Sequence, residues 1–117
     1  MSQGREGMLQ VEEQPFMVHS ERTEGGERIR VLGEMDLSVV GLLDSEMRRA
    51  EASDASRIVL DLDQLEFLDA SGIRLLLDLN SRSERNGGRL RIRPASSQQV
   101  QRVLELTGVR DLLPFED

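Results

Sequence analysis

Cysteine, lysine, tryptophan and tyrosine are all missing from this 117-residue chain, and histidine occurs once. Without cysteine there are no disulfides, thiolate metal sites or cysteine nucleophiles. Without lysine there is no glycine-rich phosphate loop of the lysine-containing kind. Three phenylalanines are the only aromatics, so the core must be assembled mainly from Leu, Val, Ile and Met. No apolar run approaches the length of a bilayer span. The opening Met1-Ser2-Gln3-Gly4-Arg5-Glu6-Gly7 has no apolar signal segment, so the expectation is a cytoplasmic protein with no membrane association. The net charge of −7 argues against nucleic acid as a direct partner, because binding backbone phosphates needs a basic patch. Arginines such as Arg28, Arg30, Arg48, Arg49, Arg89, Arg91 and Arg93 lie scattered along the chain.

What is there is enough for one domain with its own core. Residues 1–14 are polar and without period, and are expected to be a flexible tail, although Met8, Leu9 and Val11 allow a short edge strand. The domain is expected over 15–117. Phe16 to Arg22 has strand composition, Glu24-Gly25-Gly26-Glu27 is a turn signal, and Ile29, Val31 and Gly33 alternate with polar neighbours in a second, antiparallel strand. Val40, Leu43, Met47 and Ala50 recur at helical spacing after Asp36 and Ser38, either of which is a candidate cap. Ile58 to Leu62 is a nearly continuous apolar run, as expected of a strand buried on both faces.

A helix follows from Ile73. On a wheel Ile73, Leu76, Leu77 and Asn80 form one stripe, with Leu75 and Leu79 to its side. Its apolar girth exceeds what a surface helix needs, so it is either covered from two sides or partly open to a partner. Asn86-Gly87-Gly88 stops it. Arg89 to Arg93 alternates as a strand with one polar face. Ser96 and Gln99 have capping-box spacing ahead of a helix with Val100, Val103, Leu104 and Thr107 on its buried face. Val109 to Phe115 is a last strand or turn. The order is β-β-α-β-α-β-α, which implies an α/β fold with a mixed, mostly parallel sheet opened by one hairpin.

The chemistry concentrates at Asp69-Ala70-Ser71-Gly72, where strand composition gives way to helix composition. A serine there is a helix cap, a phosphate cradle or a modified site, and residue types leave all three open. A hydrolase serine wants G-x-S-x-G, and the first glycine is absent. The one imidazole, His19, is placed on the first strand. Asp61 and Asp63 lack the glycine and terminal glutamate of a calcium loop. No catalytic, metal or cofactor site is therefore expected. As a phosphoacceptor, Ser71 would gain roughly −1.5 to −2 charges, which a helix N-terminus tolerates but a partner docked beside Asp69 and Asp36 would not.

Two motifs at the right spacing carry a resemblance. Gly33-Glu34-Met35-Asp36 resembles the G-E-apolar-D signature of STAS domains, specifically bacterial anti-sigma-factor antagonists. Phe67-Leu68-Asp69-Ala70-Ser71-Gly72-Ile73 resembles their phosphorylation motif, and the element order matches over about 16–113. The resemblance implies a non-enzymatic switch. The unmodified protein binds an anti-sigma factor that is a serine kinase, the sigma factor is released, phosphorylation of Ser71 ends the association, and a serine phosphatase restores it. Carried over, Ser71 is the phosphoacceptor, Asp69 and Gly72 shape its turn, and Asp36 with Gly33 and Glu34 faces or supports the partner, although Asp36 is equally an N-cap. Leu75 and Leu79 either extend the contact surface or belong to the core. Family members often carry a further C-terminal helix, whereas this sequence stops at Phe115-Glu116-Asp117; that shortened C-terminus leaves a homodimer open. Related STAS modules that are not phosphorylated serve as scaffolds in stress-signalling or transport assemblies, which is the alternative.

Overall fold

A computed structural model describes residues 16–116; the expected tail and its edge strand fall outside them. Among the described residues there are five strands and three helices. They are β1 (Met17–Thr23), β2 (Gly26–Met35), α1 (Val40–Glu51), β3 (Arg57–Asp61), β4 (Leu65–Leu68), α2 (Ala70–Arg85), β5 (Leu90–Arg93) and α3 (Gln98–Leu106), followed by a 3-10 turn at Arg110–Leu112. None of these helices is long and apolar enough to cross a membrane.

The sheet is mixed, as the alternation of elements implies. β1 and β2 form the antiparallel hairpin, Met17 opposite Leu32 and Thr23 opposite Gly26. β2 then pairs in parallel with β3 along 26–30 and with β4 along 33–35. β5 runs parallel to β3, Ile58 opposite Leu90. The strand β4 was not expected from the sequence. It is four residues long, and the apolar Leu65 and Leu68 flank the exposed Glu66 and Phe67, so no strict alternation announces it.

The core gathers Ile29, Val31, Leu60 and Ile92 from the sheet with Leu43 and Met47 from α1 and Leu76 and Leu79 from α2. The buried face of α2 is centred on Gly72, Leu75, Leu76 and Leu79, one residue round from the expected stripe. Ile73 and Leu77 are half-buried against the core, and Asn80 Nδ2 donates to the Leu112 carbonyl at 3.1 Å. The wide apolar girth of α2 is thus covered by the sheet core and by α1, and the chain end touches it at Asn80. That end returns to the sheet through a parallel bridge between Ile92 and Phe115.

Two charges are buried in this frame. Glu27 is 2 % exposed and is met by Arg49 of α1, and Asp61 is 2 % exposed and is met by Arg28 Nε at 2.9 Å. Arg82 on α2 reaches Asp44 at 2.8 Å and Glu51 at 3.1 Å on α1, tying the two helices together. The cap of α3 is Ser97, which accepts from Val100 N at 3.3 Å; the expected box from Ser96 to Gln99 is one residue out of place. Thr107 is exposed, its hydroxyl donating back to the Val103 carbonyl at 2.7 Å.

Candidate functional site

The Ser71 turn is built by the two parallel strands beneath it. Met35 pairs with Leu68, and Asp69 N then donates to the Met35 carbonyl at 3.2 Å. Asp36 and Asp69, the next residues on each chain, are therefore set side by side off the carboxyl ends of β2 and β4. This is the end of a parallel sheet where α/β folds place their sites. The approach requires Gly33. The β2–β4 register slips between Gly33 and Glu34, and Gly33 takes φ +94°, a conformation that side-chain-bearing residues adopt at a cost.

Asp69 makes the turn. Its extended backbone (φ −104°, ψ −167°) places it as the N-cap of α2. Its Oδ1 accepts from Ser71 N at 2.9 Å, Gly72 N at 3.2 Å and Ser71 Oγ at 2.5 Å. The hydroxyl of Ser71 holds the Asp69 carboxyl below its usual range, and the two backbone N–H groups add to this against the opposing effect of burial. Ser71 is consequently not the cap of the helix it opens. It lies half-buried in the first turn, and its hydroxyl is fixed on the carboxylate two residues back. Gly72 is buried beneath it. A Cβ there would lie 3.0 Å from Leu68 Cβ and 3.4 Å from Met35 Cγ, so glycine lets the first turn of α2 rest on the strand ends.

The neighbouring strand repeats the device. Asp36 Oδ1 accepts from Ser38 N at 3.0 Å and Ser38 Oγ at 2.7 Å, and its carbonyl accepts from Val39 and Val40 N. Neither Asp36 nor Ser38 caps α1 in the expected way. Val39 occupies the cap position with no side-chain bond, and Asp36 closes the turn ahead of it. Asp-x-Ser thus follows both strands.

The remaining expected residues divide. Glu34 is exposed beside Phe67, its partner across the bulge. Leu75 is 8 % exposed and Leu79 is fully buried, so they line the core and offer a partner no surface; packing on the sheet side of α2 decides this. His19 stands opposite Arg30 in the β1–β2 register, five residues back along β2 from Met35, roughly 16 Å at strand rise, and Ser71 receives no base from it. Among the described residues no cluster of three or more His, Asp or Glu could hold a metal ion.

Sequence reasoning missed the apolar rim. Leu37 is 76 % and Leu42 60 % exposed, and Phe67 is also exposed. Leu42 falls off the Val40-Leu43-Met47-Ala50 stripe, and that misfit was the available signal, whereas Leu37 keeps the spacing and is exposed because it precedes the helix. Large apolar side chains left in water are a feature of interaction surfaces.

Comparison with known proteins bears on the family and the fold. The STAS domain family model matches residues 20–117. An anti-sigma F factor antagonist of Paenibacillus polymyxa is 27 % identical over 90 residues, 76 % of either chain. Among solved structures, an anti-sigma factor antagonist from Mycobacterium paratuberculosis superposes with a TM-score of 0.74 at 23 % identity, covering 86 % of this chain and 85 % of that one. SpoIIAA in its unphosphorylated form gives 0.68 at 23 % identity over 88 % and 89 %. The phosphorylated form of the Bacillus cell fate determinant SpoIIAA gives 0.62 at 22 % identity over 88 % and 92 %. The family model spans most of the chain and the mixed α/β sheet is shared with these structures, so the chain belongs to the STAS domain family.

Proposed function

We propose that this protein is an anti-sigma-factor antagonist that works by binding, with Ser71 as its phosphorylated switch. Unmodified, it docks on an anti-sigma factor that is a serine kinase and releases the sigma factor; phosphorylation ends the association and a serine phosphatase resets it. The observation that carries the reading is the Ser71 hydroxyl presented on the Asp69 carboxylate, beside the Asp36 turn that carries the exposed Leu37. The relatives named anti-sigma factor antagonists support it.

The electrostatics favour a switch of binding over a switch of fold. A phosphoserine has no hydroxyl proton, so the Ser71–Asp69 side-chain bond is lost. Asp69 already holds two backbone N–H groups of the α2 N-terminus, so the phosphate meets a partly occupied anion site and projects outward. It adds roughly −1.5 to −2 charges beside Asp69, Asp36 and Glu34, in the path of any partner seated on the leucine rim. The scaffold beneath rests on β2 and β4 and is untouched.

The test is incubation with ATP and the candidate serine kinases of the same genome, read by intact mass and by binding. A gain of one phosphate, lost in Ser71→Ala, is expected, together with loss of kinase binding in Ser71→Asp. A Ser71→Asp variant that binds as tightly as wild type would sink the switch and favour a constitutive scaffold.

A further inference from the structure

Strand alternation collects on one face of the sheet what the sequence scatters. Arg28 and Arg30 of β2, Arg57 of β3, and Arg91 and Arg93 of β5 all point away from the Ile29–Leu60–Ile92 core, and Arg89 leads into β5 with its guanidinium turned to the carbonyls that follow the end of α1. His19 stands beside Arg30. The carboxylates reaching this set are few. Asp61 takes Arg28 and lies 4.0 Å from Arg93, Glu21 lies 3.9 Å from Arg28, and Glu116 takes Arg57 at 2.7 Å. Among the described residues, Arg30, Arg89 and Arg91 have no carboxylate within 4 Å, and Arg30 Nε is buried without a hydrogen-bond partner. A molecule of net charge −7 therefore carries a concentrated positive field on one face.

At one end of that face the arginines surround a cavity. Ser56, Arg57, Gly88, Arg89 and Arg91 line about 360 Å3 at the amino ends of β3 and β5. Arg89 is fixed there by neutral acceptors, donating to the carbonyls of Glu51 (2.6 Å), Ser53 (3.2 Å) and Ala55 (2.6 Å). These bonds orient the guanidinium without cancelling its charge. Arg91 uses only Nη1, on the carbonyls of Gly88 (3.2 Å) and Leu90 (2.7 Å), which leaves Nε and Nη2 for a ligand. The backbone at Gly88 is open, with no atom within 4 Å of where a Cβ would stand.

We propose that this cavity binds the phosphate group of a small phosphorylated molecule. Guanidinium groups present paired donors that match phosphate oxygens, and the volume is that of a small-molecule pocket. Among the described residues no aromatic side chain lines the cavity, which disfavours a nucleic-acid strand that would stack its bases. The cavity lies at the opposite end of the strands from Asp69 and Ser71, so it fills without touching the switch.

The test uses the full chain, titrated with inorganic phosphate and separately with ATP, each against sodium chloride at matched ionic strength. Backbone amide shifts of Ser56, Arg57, Gly88, Arg89 and Arg91 are followed by NMR. Saturable shifts confined to these residues are expected. Arg91→Gln should weaken binding about tenfold or more, while Arg48→Gln, an exposed arginine of α1 outside the lining, should leave it unchanged. Arg91 and Arg57 are exposed and Arg89 fastens a loop, so Arg91→Gln and Arg57→Gln are the informative variants, with melting temperature as the folding control. ATP binding well above phosphate would identify a nucleotide as the source, and equal affinities would identify phosphate itself. Linear shifts, shifts reproduced by chloride, or equal losses in Arg48→Gln would overturn the site.

Discussion

Asp69 Oδ1 accepts three hydrogen bonds from the second and third residues of α2, and the shortest, 2.5 Å, comes from the hydroxyl of Ser71. The carboxylate is the cap and the serine is its ornament. The side chain free to change chemically is therefore separate from the one that holds the helix.

Stability should respect that division. Asp69→Ala removes the cap and is expected to cost about 1–2 kcal/mol. Ser71→Ala removes one hydroxyl bond while both backbone N–H groups keep their acceptor, and should cost about 0.5–1 kcal/mol. Denaturant unfolding of the two variants decides it; the reverse order would make Ser71 the cap.

The glycines beneath the site are expected to be intolerant for different reasons. Gly33→Ala forces a Cβ onto φ +94°, at about 1–2 kcal/mol. Gly72→Ala brings a Cβ to 3.0 Å from Leu68 Cβ, and the first turn of α2 must lift. The expected signature of Gly72→Ala is a lower melting temperature with altered amide shifts at Asp69 and Ser71. An unperturbed turn would show that α2 has slack.

The leucine rim should behave in the opposite way. Leu37→Ala and Leu42→Ala remove exposed side chains and are expected to change stability by less than about 0.5 kcal/mol. If the rim is the partner surface, each should weaken kinase binding by more than about 1 kcal/mol. Calorimetric titration with unchanged melting curves would establish this, and unchanged affinity would place the partner elsewhere.

Acid should unfold the protein through identifiable carboxylates. Hydrogen bonding from Arg49 lowers Glu27 from 4.5, Ser20 and then Arg49 lower Glu46 from 4.5, and Ser71 lowers Asp69 from 3.8. A folded-state value below the unfolded one means the stabilisation is full above the unfolded value and is lost as pH falls through the folded one. Stability is therefore expected to hold at neutral pH and to decline from about pH 4.5 downward. Arg49→Ala, which leaves Glu27 buried and unpaired, should cost about 1–3 kcal/mol at pH 7 and flatten the acid limb of the melting curve. A limb of unchanged slope would assign acid unfolding to other groups.

The sequence was legible where a local rule applied. Helical spacing located Leu43, Met47 and Ala50, alternation located Ile29 and Val31, and Asp69-Ala70-Ser71-Gly72 stood out as a junction of strand and helix. It was not legible where two neighbours competed for one role. Ser96 and Ser97 are equally good caps by type, and only backbone geometry chose Ser97. Asp36 and Ser38 promised a cap for α1, but the chain turns before the helix starts. The strand β4 is held by pairing with β2 more than by its own pattern, and the apolar wheel of α2 did not reveal which side the sheet would take.

Local chemistry alone, then, determined that a carboxylate, a serine and a glycine would form a helix-opening turn, because capping depends on residues two and three apart. Tertiary structure decided what that turn faces. Parallel pairing of Met35 with Leu68 brought Asp36, thirty-three positions away in the sequence, alongside Asp69. It also left Leu37 and Leu42 in water, and it turned scattered arginines into one positive face. These are contacts between distant segments, and no local period encodes which segments will meet.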